Sequence, residues 1–114
     1  MNSILGTIKH MLGPAEGYDY FDTDIIVHIN AAFSRLTTLG VGPKNGYKIT
    51  GADNTWDEFI ADDRLENVKS YVYYKVKLGF DTPANSSHIS MIKEKIAELE
   101  WLLAVQAETP CFIE

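Results

Sequence analysis

The chain contains one cysteine in 114 residues, Cys111, and no apolar run long enough to cross a bilayer, which takes about 18 residues. A lone cysteine forms no intramolecular disulfide, so a hydrophobic core has to hold the fold, as is usual in a reducing compartment. Residues 1–14 have no basic stretch ahead of an apolar one, and we therefore expect no signal peptide.

Positive charge is also scarce. Ten Lys and Arg residues stand against sixteen Asp and Glu residues, giving a formal net charge of −6. This balance repels phosphate groups at long range and argues against a dedicated DNA- or RNA-binding domain. It remains compatible with a protein that DNA passes without binding.

Motifs for metal or cofactor chemistry are missing from the sequence. The three histidines, His10, His28 and His88, lie far apart, and Cys111 has no partner at metal-ligand spacing. The Gly-x-Gly at 40–42 follows a predicted helix, whereas a dinucleotide fingerprint follows a strand. We therefore expect no metal and no cofactor.

Catalytic motifs are missing as well. No serine or cysteine has a nucleophile motif, and the acids at 94, 98 and 100 are typical of a solvated helix face. A helical hydrolase or nuclease subunit that uses a divalent cation would need several converging carboxylates. The sequence provides carboxylates without that arrangement, so it predicts a protein that is not an enzyme.

Apolar residues recur at helical spacing in four segments, which predicts an all-α fold, a compact bundle of about four helices. Their approximate ranges are 3–12, 23–39, 62–80 and 87–107. The second is the best marked, since Asp22, Thr23 and Asp24 are N-cap candidates and Gly40 and Pro43 end it. Residues 1–108 form one helical domain in this interpretation, followed by an extended tail at 109–114.

The stretch from 41 to 60 is the least regular. Turn signals at 45–46 and 51–54 flank the β-like segment YKIT, which predicts a long irregular loop with room for a small hairpin. Trp56 and Phe59 lie three residues apart, which predicts a single helical turn packed on the body of the domain. Loops of this length inside a small domain are often functional.

Three features favour assembly with copies of the chain or with another protein. Trp101 lies off the apolar stripe of its helix, tyrosines surround the third helix at 71, 73 and 74, and the tail carries Phe112 and Ile113. Each feature alone is more typical of core packing. Together they indicate a protein that works through its surfaces.

Four blocks, in order, carry a family resemblance: FDTDIIVHINAAFSRLTTLGVGP, TWDEFI, ENVKSYVYYKVKLGFDTP and IKEKIAELEWLLAV. They resemble the head–tail connector proteins (adaptor, or head-completion, proteins) of long-tailed bacteriophages of Gram-positive hosts. The resemblance covers residues 1 to about 108. Within that range the segment 43–54 varies in the family, and the tail at 109–114 has no place in the resemblance.

The resemblance implies a structural α-helical subunit that forms a ring, of about twelve or thirteen copies, beneath the portal protein. The ring extends the DNA channel and docks the stopper or tail-completion protein. DNA passes through without specific binding, and no cofactor or membrane is involved. The implied location is the head–tail junction of the virion, reached from the host cytoplasm during assembly.

The resemblance also assigns surfaces. The portal side takes Trp101, Val105, Phe112 and Ile113, and the subunit contacts take Tyr71, Tyr74 and Leu78. The distal side takes a projecting loop with Lys44, Asn45, Tyr47 and Lys48. An acidic channel would let DNA slide without binding, and on this physical argument the candidate channel-facing acids are Asp62, Asp63, Glu94 and Glu98.

One rival interpretation has the same composition and helices. A small acidic helical regulatory protein of a phage or prophage, one that binds a host or phage protein, would be a monomer or dimer in every context. Recruitment into a high-order ring by the portal protein distinguishes the connector from this regulator.

Overall fold

The computed structural model describes residues 3–13, 21–61, 64–80 and 83–108, and within them the fold is all-α, as predicted. The helices are α1 (Ile4–Leu12), α2 (Asp22–Thr38), α3 (Trp56–Phe59), α4 (Leu65–Phe80) and α5 (Ser86–Glu108). The four long helices match the predicted ranges within a few residues. The single turn expected at Trp56 and Phe59 is α3.

Helix α4 lies at the centre of the bundle. Both α2 and α5 pack against it, and α1 contacts both α4 and α2. Its residues Val68, Val72 and Val76 are buried, together with Tyr71. A helix with apolar side chains around most of its circumference needs neighbours on several sides. Helices of this subunit provide them.

Two helix ends have the geometry that their residue types predict. The side chain of Asn85 accepts hydrogen bonds from the backbone N–H groups of Ser87 (2.8 Å) and His88 (3.2 Å) and so caps α5. Gly40 follows α2 with a φ of +88°, in the left-handed region that glycine adopts without strain.

The predicted N-cap of α2 is wrong. Phe21 holds the cap position, and no side chain caps the helix. Asp22 is instead the first helical residue, and its Oδ1 lies 2.7 Å from Nζ of the buried Lys9 in α1. The carboxylate of Asp22 therefore pairs with Lys9 instead of capping α2. This ion pair links α1 to the start of α2.

The expected hairpin in the loop at 41–60 is also wrong, because the described residues contain no strand. Ile49, the buried residue of YKIT, pairs with the side chain of Asn30 in α2. Asn30 Oδ1 accepts from the Ile49 N–H (2.8 Å), and Asn30 Nδ2 donates to the Ile49 carbonyl (3.1 Å). One amide side chain thus supplies both hydrogen bonds that a partner strand would have supplied.

An aromatic cluster holds the rest of this loop. Phe33 of α2 packs against Tyr47, Trp56 and Phe59, with ring centroids 4.5–6.2 Å apart. Trp56 is fully buried, and its Nε1 donates to Thr7 Oγ1 in α1 at 3.1 Å. This part of the loop therefore packs on α1 and α2 within the subunit, and its predicted projection from a ring stays a prediction.

Gly42 tests how tightly this loop is packed. Its φ is +87°, and an added Cβ would lie 2.6 Å from Phe59 Cζ. Gly40 has nearly the same φ, but a Cβ there would make an ordinary contact of 3.5 Å with Ala107. We expect Gly40→Ala to lower the free energy of unfolding by about 1–2 kcal/mol through backbone strain alone. Gly42→Ala should cost about 1–3 kcal/mol more through overpacking.

Urea unfolding followed by far-UV circular dichroism measures both losses. Equal losses for the two variants would show that the aromatic cluster yields to the added methyl group, contrary to the packing described.

Candidate assembly surfaces

Trp101 lies on an exposed face of α5 and is the most exposed large apolar side chain of the described residues, with 67% of its surface accessible. The sequence prediction that it stands apart from the core stripe is confirmed. Glu94, Glu98 and Val105 fall on the same side of the helix, since positions 98, 101 and 105 follow Glu94 by four, seven and eleven residues. Both glutamates are exposed and Val105 is half-buried.

This shared face links two surfaces that the sequence interpretation kept separate. Glu98 and Trp101 are three residues apart, about one helical turn. A partner that covers Trp101 therefore comes close to Glu98. Glu94 lies about 10 Å from Trp101 along the helix.

Of the three residues predicted at subunit contacts, Tyr71 is fully buried in the core of its own subunit. Tyr71 therefore has no exposed surface that a second subunit could contact. Tyr74 and Leu78 are half-buried and lie at the edge of the core, and the ring of Tyr74 is 5.3 Å from that of Tyr73. They remain predicted contact residues.

Glu100 connects three helices. Its Oε2 accepts a hydrogen bond from the Tyr71 hydroxyl in α4 at 2.7 Å, and its Oε1 lies 3.4 Å from Arg35 Nη2 in α2. Partial burial is the largest single influence on the pKa of Glu100, and acting alone it would raise that pKa. The hydrogen bonds from Tyr71 and Arg35, with the positive charge of Arg35, outweigh burial and hold that pKa below its ordinary value of 4.5.

The sequence interpretation placed Glu100 on a solvated face, and the structure corrects this. The missed signal is its register: Glu100 follows the buried Ile96 by four residues and precedes the buried Leu103 by three. A carboxylate in the core stripe needs a hydrogen-bonding partner, and Tyr71 provides one. Because Glu100 is fixed inward, the next residue, Trp101, is turned outward.

The predicted distal loop forms one wall of a surface groove. Asn45 and Lys48 are exposed and line the groove, and Lys44 is exposed next to them in sequence. Tyr47 is half-buried, and its hydroxyl donates to Glu58 Oε1 at 2.6 Å. Burial, and then this hydrogen bond, raise the pKa of Tyr47 to about 12. The groove between residues 45–48 and the outer face of α2 has a volume of about 700 Å³.

The remaining predicted site residues lie outside the described residues: Asp62, Asp63, Phe112 and Ile113. Within the described ranges, no three or more His, Cys, Asp or Glu side chains are grouped so that they could hold a metal ion. No helix in this part of the chain combines the length and apolar character that spanning a membrane requires.

The family model described as phage connector protein matches residues 4–110, nearly the whole chain. The chain therefore belongs to the phage connector family, and its role is that of a structural connector in the virion. No curated protein and no solved structure matches it.

The Tyr71 hydroxyl makes a testable contribution to stability. Tyr71→Phe removes the hydrogen bond to Glu100, and we expect the free energy of unfolding at pH 7 to fall by about 1–2 kcal/mol. Tyr73→Phe on the same helix is the matched control, since the Tyr73 hydroxyl makes no hydrogen bond to another described residue. Urea unfolding of the two variants should differ, and equal losses would contradict the role of Glu100.

The same contact predicts a pH dependence. Because the pKa of Glu100 is lowered in the folded state, its contribution is complete above about pH 5 and is lost as the pH falls through the folded pKa. The stability difference between the natural chain and Glu100→Gln should therefore shrink between about pH 5 and pH 3, by about the contribution of one hydrogen bond to a charged group. A difference that is constant across this range, measured by urea unfolding, would refute the assignment.

Proposed function

We propose that the chain is a head–tail connector subunit that assembles into a ring of about twelve or thirteen copies beneath the portal protein. The ring extends the DNA channel and docks the stopper or tail-completion protein. The observation that carries the proposal is the match to the phage connector family over residues 4–110. The subunit is proposed to be non-catalytic and to need no cofactor.

A closed ring requires two different complementary patches on each subunit, because head-to-tail contacts are heterologous. The exposed faces of α2 and α5 differ in the way this requires. The outer face of α2 carries small side chains along the groove, and α5 carries glutamates and a tryptophan. Tyr74 and Leu78 of α4 are proposed to extend one of these patches.

The portal contact is proposed to centre on Trp101, with Val105 beside it. A large exposed aromatic ring on a rigid helix is the type of residue that dominates binding energy once a partner buries it. Glu98 then falls at the rim of the contact, so the portal surface facing it should carry a basic residue. Glu94, about 10 Å from Trp101 along the helix, stays available for the channel wall.

The distal contact is proposed to use Lys44, Asn45 and Lys48. These side chains lie on a segment that Ile49 and the aromatic cluster hold in place, so binding costs little ordering of the backbone. The two lysines favour an acidic surface on the stopper or tail-completion protein.

Light scattering tests the ring directly. The mass of the purified protein is measured alone and then with the portal protein of the same phage. A species of about twelve subunits in either condition supports the proposal. A protein that stays monomeric or dimeric in the presence of that portal contradicts it and favours a regulatory protein.

Trp101→Ala tests the portal contact. We expect it to weaken portal binding by about 30-fold or more, since a buried interface tryptophan contributes about 2 kcal/mol or more. The variant should unfold like the natural chain, because Trp101 packs little within the subunit. Met11→Ala removes a half-exposed apolar side chain from α1 and is the matched control. Equal portal affinity of the two variants, measured by surface plasmon resonance, would remove Trp101 from the interface.

A further inference from the structure

We propose that Asn45 is a site of spontaneous deamidation, at which the side-chain amide is replaced by a carboxylate while the chain stays folded. The reaction requires no enzyme and no partner, so it does not depend on ring formation. It rests on two observations in the loop between α2 and α4. The side chain of Asn45 makes no hydrogen bond to another described residue, and the residue after it is glycine.

The other described asparagines are held more firmly than Asn45. The amides of Asn30, Asn54 and Asn85 all take part in hydrogen bonds with the backbone. Asn67 lies within α4, where the backbone N–H that follows it is already hydrogen-bonded. Asn45 is exposed on the wall of the groove. It thus combines an accessible amide with a side chain that no described residue restrains.

The glycine at position 46 provides the attacking atom. The backbone nitrogen of Gly46 loses its proton to the solvent and attacks Cγ of Asn45, which closes a succinimide ring and releases the side-chain nitrogen as ammonia. Water then opens the ring and gives aspartate or, if it attacks the backbone carbonyl, isoaspartate. The net reaction consumes one water and releases one ammonia. Because Gly46 has no Cβ, no side chain obstructs the attack.

The fold restrains this reaction only weakly. Residues 43–46 form a turn that is closed by one backbone hydrogen bond, from the Gly46 N–H to the Pro43 carbonyl at 3.0 Å. This bond holds the attacking nitrogen and has to open first. Exposed hydrogen bonds in loops open at a low cost in free energy. The loop is anchored at Ile49, outside the turn, so the turn can open while the rest of the fold stays closed.

Deamidation would change the charge of a basic segment. Lys44 and Lys48 are exposed on either side of Asn45 in sequence, and no acidic side chain is among the described residues that line the groove. Their positive charge also favours the nitrogen anion that attacks. The product has a formal net charge of −7 in place of −6, since one carboxylate adds one negative charge.

Ageing of the purified chain tests the site. The folded chain and the chain unfolded in guanidinium chloride are kept in mildly alkaline buffer for several days. Mass spectrometry of the peptide that contains Asn45 then measures the loss of the amide. We expect the folded chain to react at a rate within about tenfold of that of the unfolded chain, because only one hydrogen bond has to open. Isoelectric focusing should show a more acidic species in the same proportion.

The matched control is Asn45→Gln, whose side chain is one methylene longer and closes the ring more slowly. This variant should have the circular dichroism spectrum of the natural chain and should form no acidic species over the same period. The peptides that contain Asn54 and Asn85 are internal references. Their amides should persist in the folded chain, since hydrogen bonds hold both side chains.

Two outcomes would overturn the proposal. If Asn45 reacts in the unfolded chain but stays intact in the folded chain, the turn protects it. If the acidic species forms equally fast in Asn45→Gln, the reacting residue lies elsewhere in the sequence. Neither measurement involves the portal or the stopper protein, so the result is independent of the proposed function.

One consequence does rest on the proposed function, in which this segment faces an acidic partner. Asn45→Asp should bind the stopper or tail-completion protein about two- to fivefold more weakly than Asn45→Gln does, because the added charge repels an acidic surface. Equal affinities, measured by surface plasmon resonance, would contradict the acidic distal partner and would not bear on the deamidation itself.

Discussion

The packing of α4 against both α2 and α5 is the constraint on which the other features of the subunit depend. Burial of the valine stripe of α4 and of Tyr71 brings the Tyr71 hydroxyl to Glu100. Glu100 also contacts Arg35 of α2, so its carboxylate sets the rotation of α5 about its own axis. That rotation turns Trp101 outward, and helical spacing places Glu94 and Glu98 on the same side of α5.

The loop between α2 and α4 is irregular in backbone geometry yet firmly held. Its stability comes from side chains rather than from a ladder of backbone hydrogen bonds: Asn30 satisfies Ile49, and Phe33 packs against the rings of the loop. Such an arrangement leaves the loop rim exposed while fixing its position. A binding surface built in this way loses little conformational entropy when a partner docks.

Periodicity was sufficient to predict the all-α class and the four long helices, because a core-facing stripe follows directly from residue spacing. Periodicity did not predict the contacts between residues that are distant in the sequence. Asp22 had a local use as an N-cap, but pairing with Lys9 takes precedence in the folded chain. The segment YKIT had β-like composition, and the pairing amide of Asn30 lies nineteen positions away from Ile49 in sequence, beyond what a local pattern reports.

The assembly residues divide along the same line. Trp101 was predictable, since a large aromatic residue off the apolar stripe has no place in the core of its own helix bundle. The inward orientation of Tyr71 and Glu100 was not predictable, because both side chains are polar and only the hydrogen bond between them makes their burial favourable. Helix α5 places the locked carboxylate of Glu100 next to the exposed ring of Trp101. Neighbouring positions on one helix thus serve the interior and, under the proposed function, the portal interface.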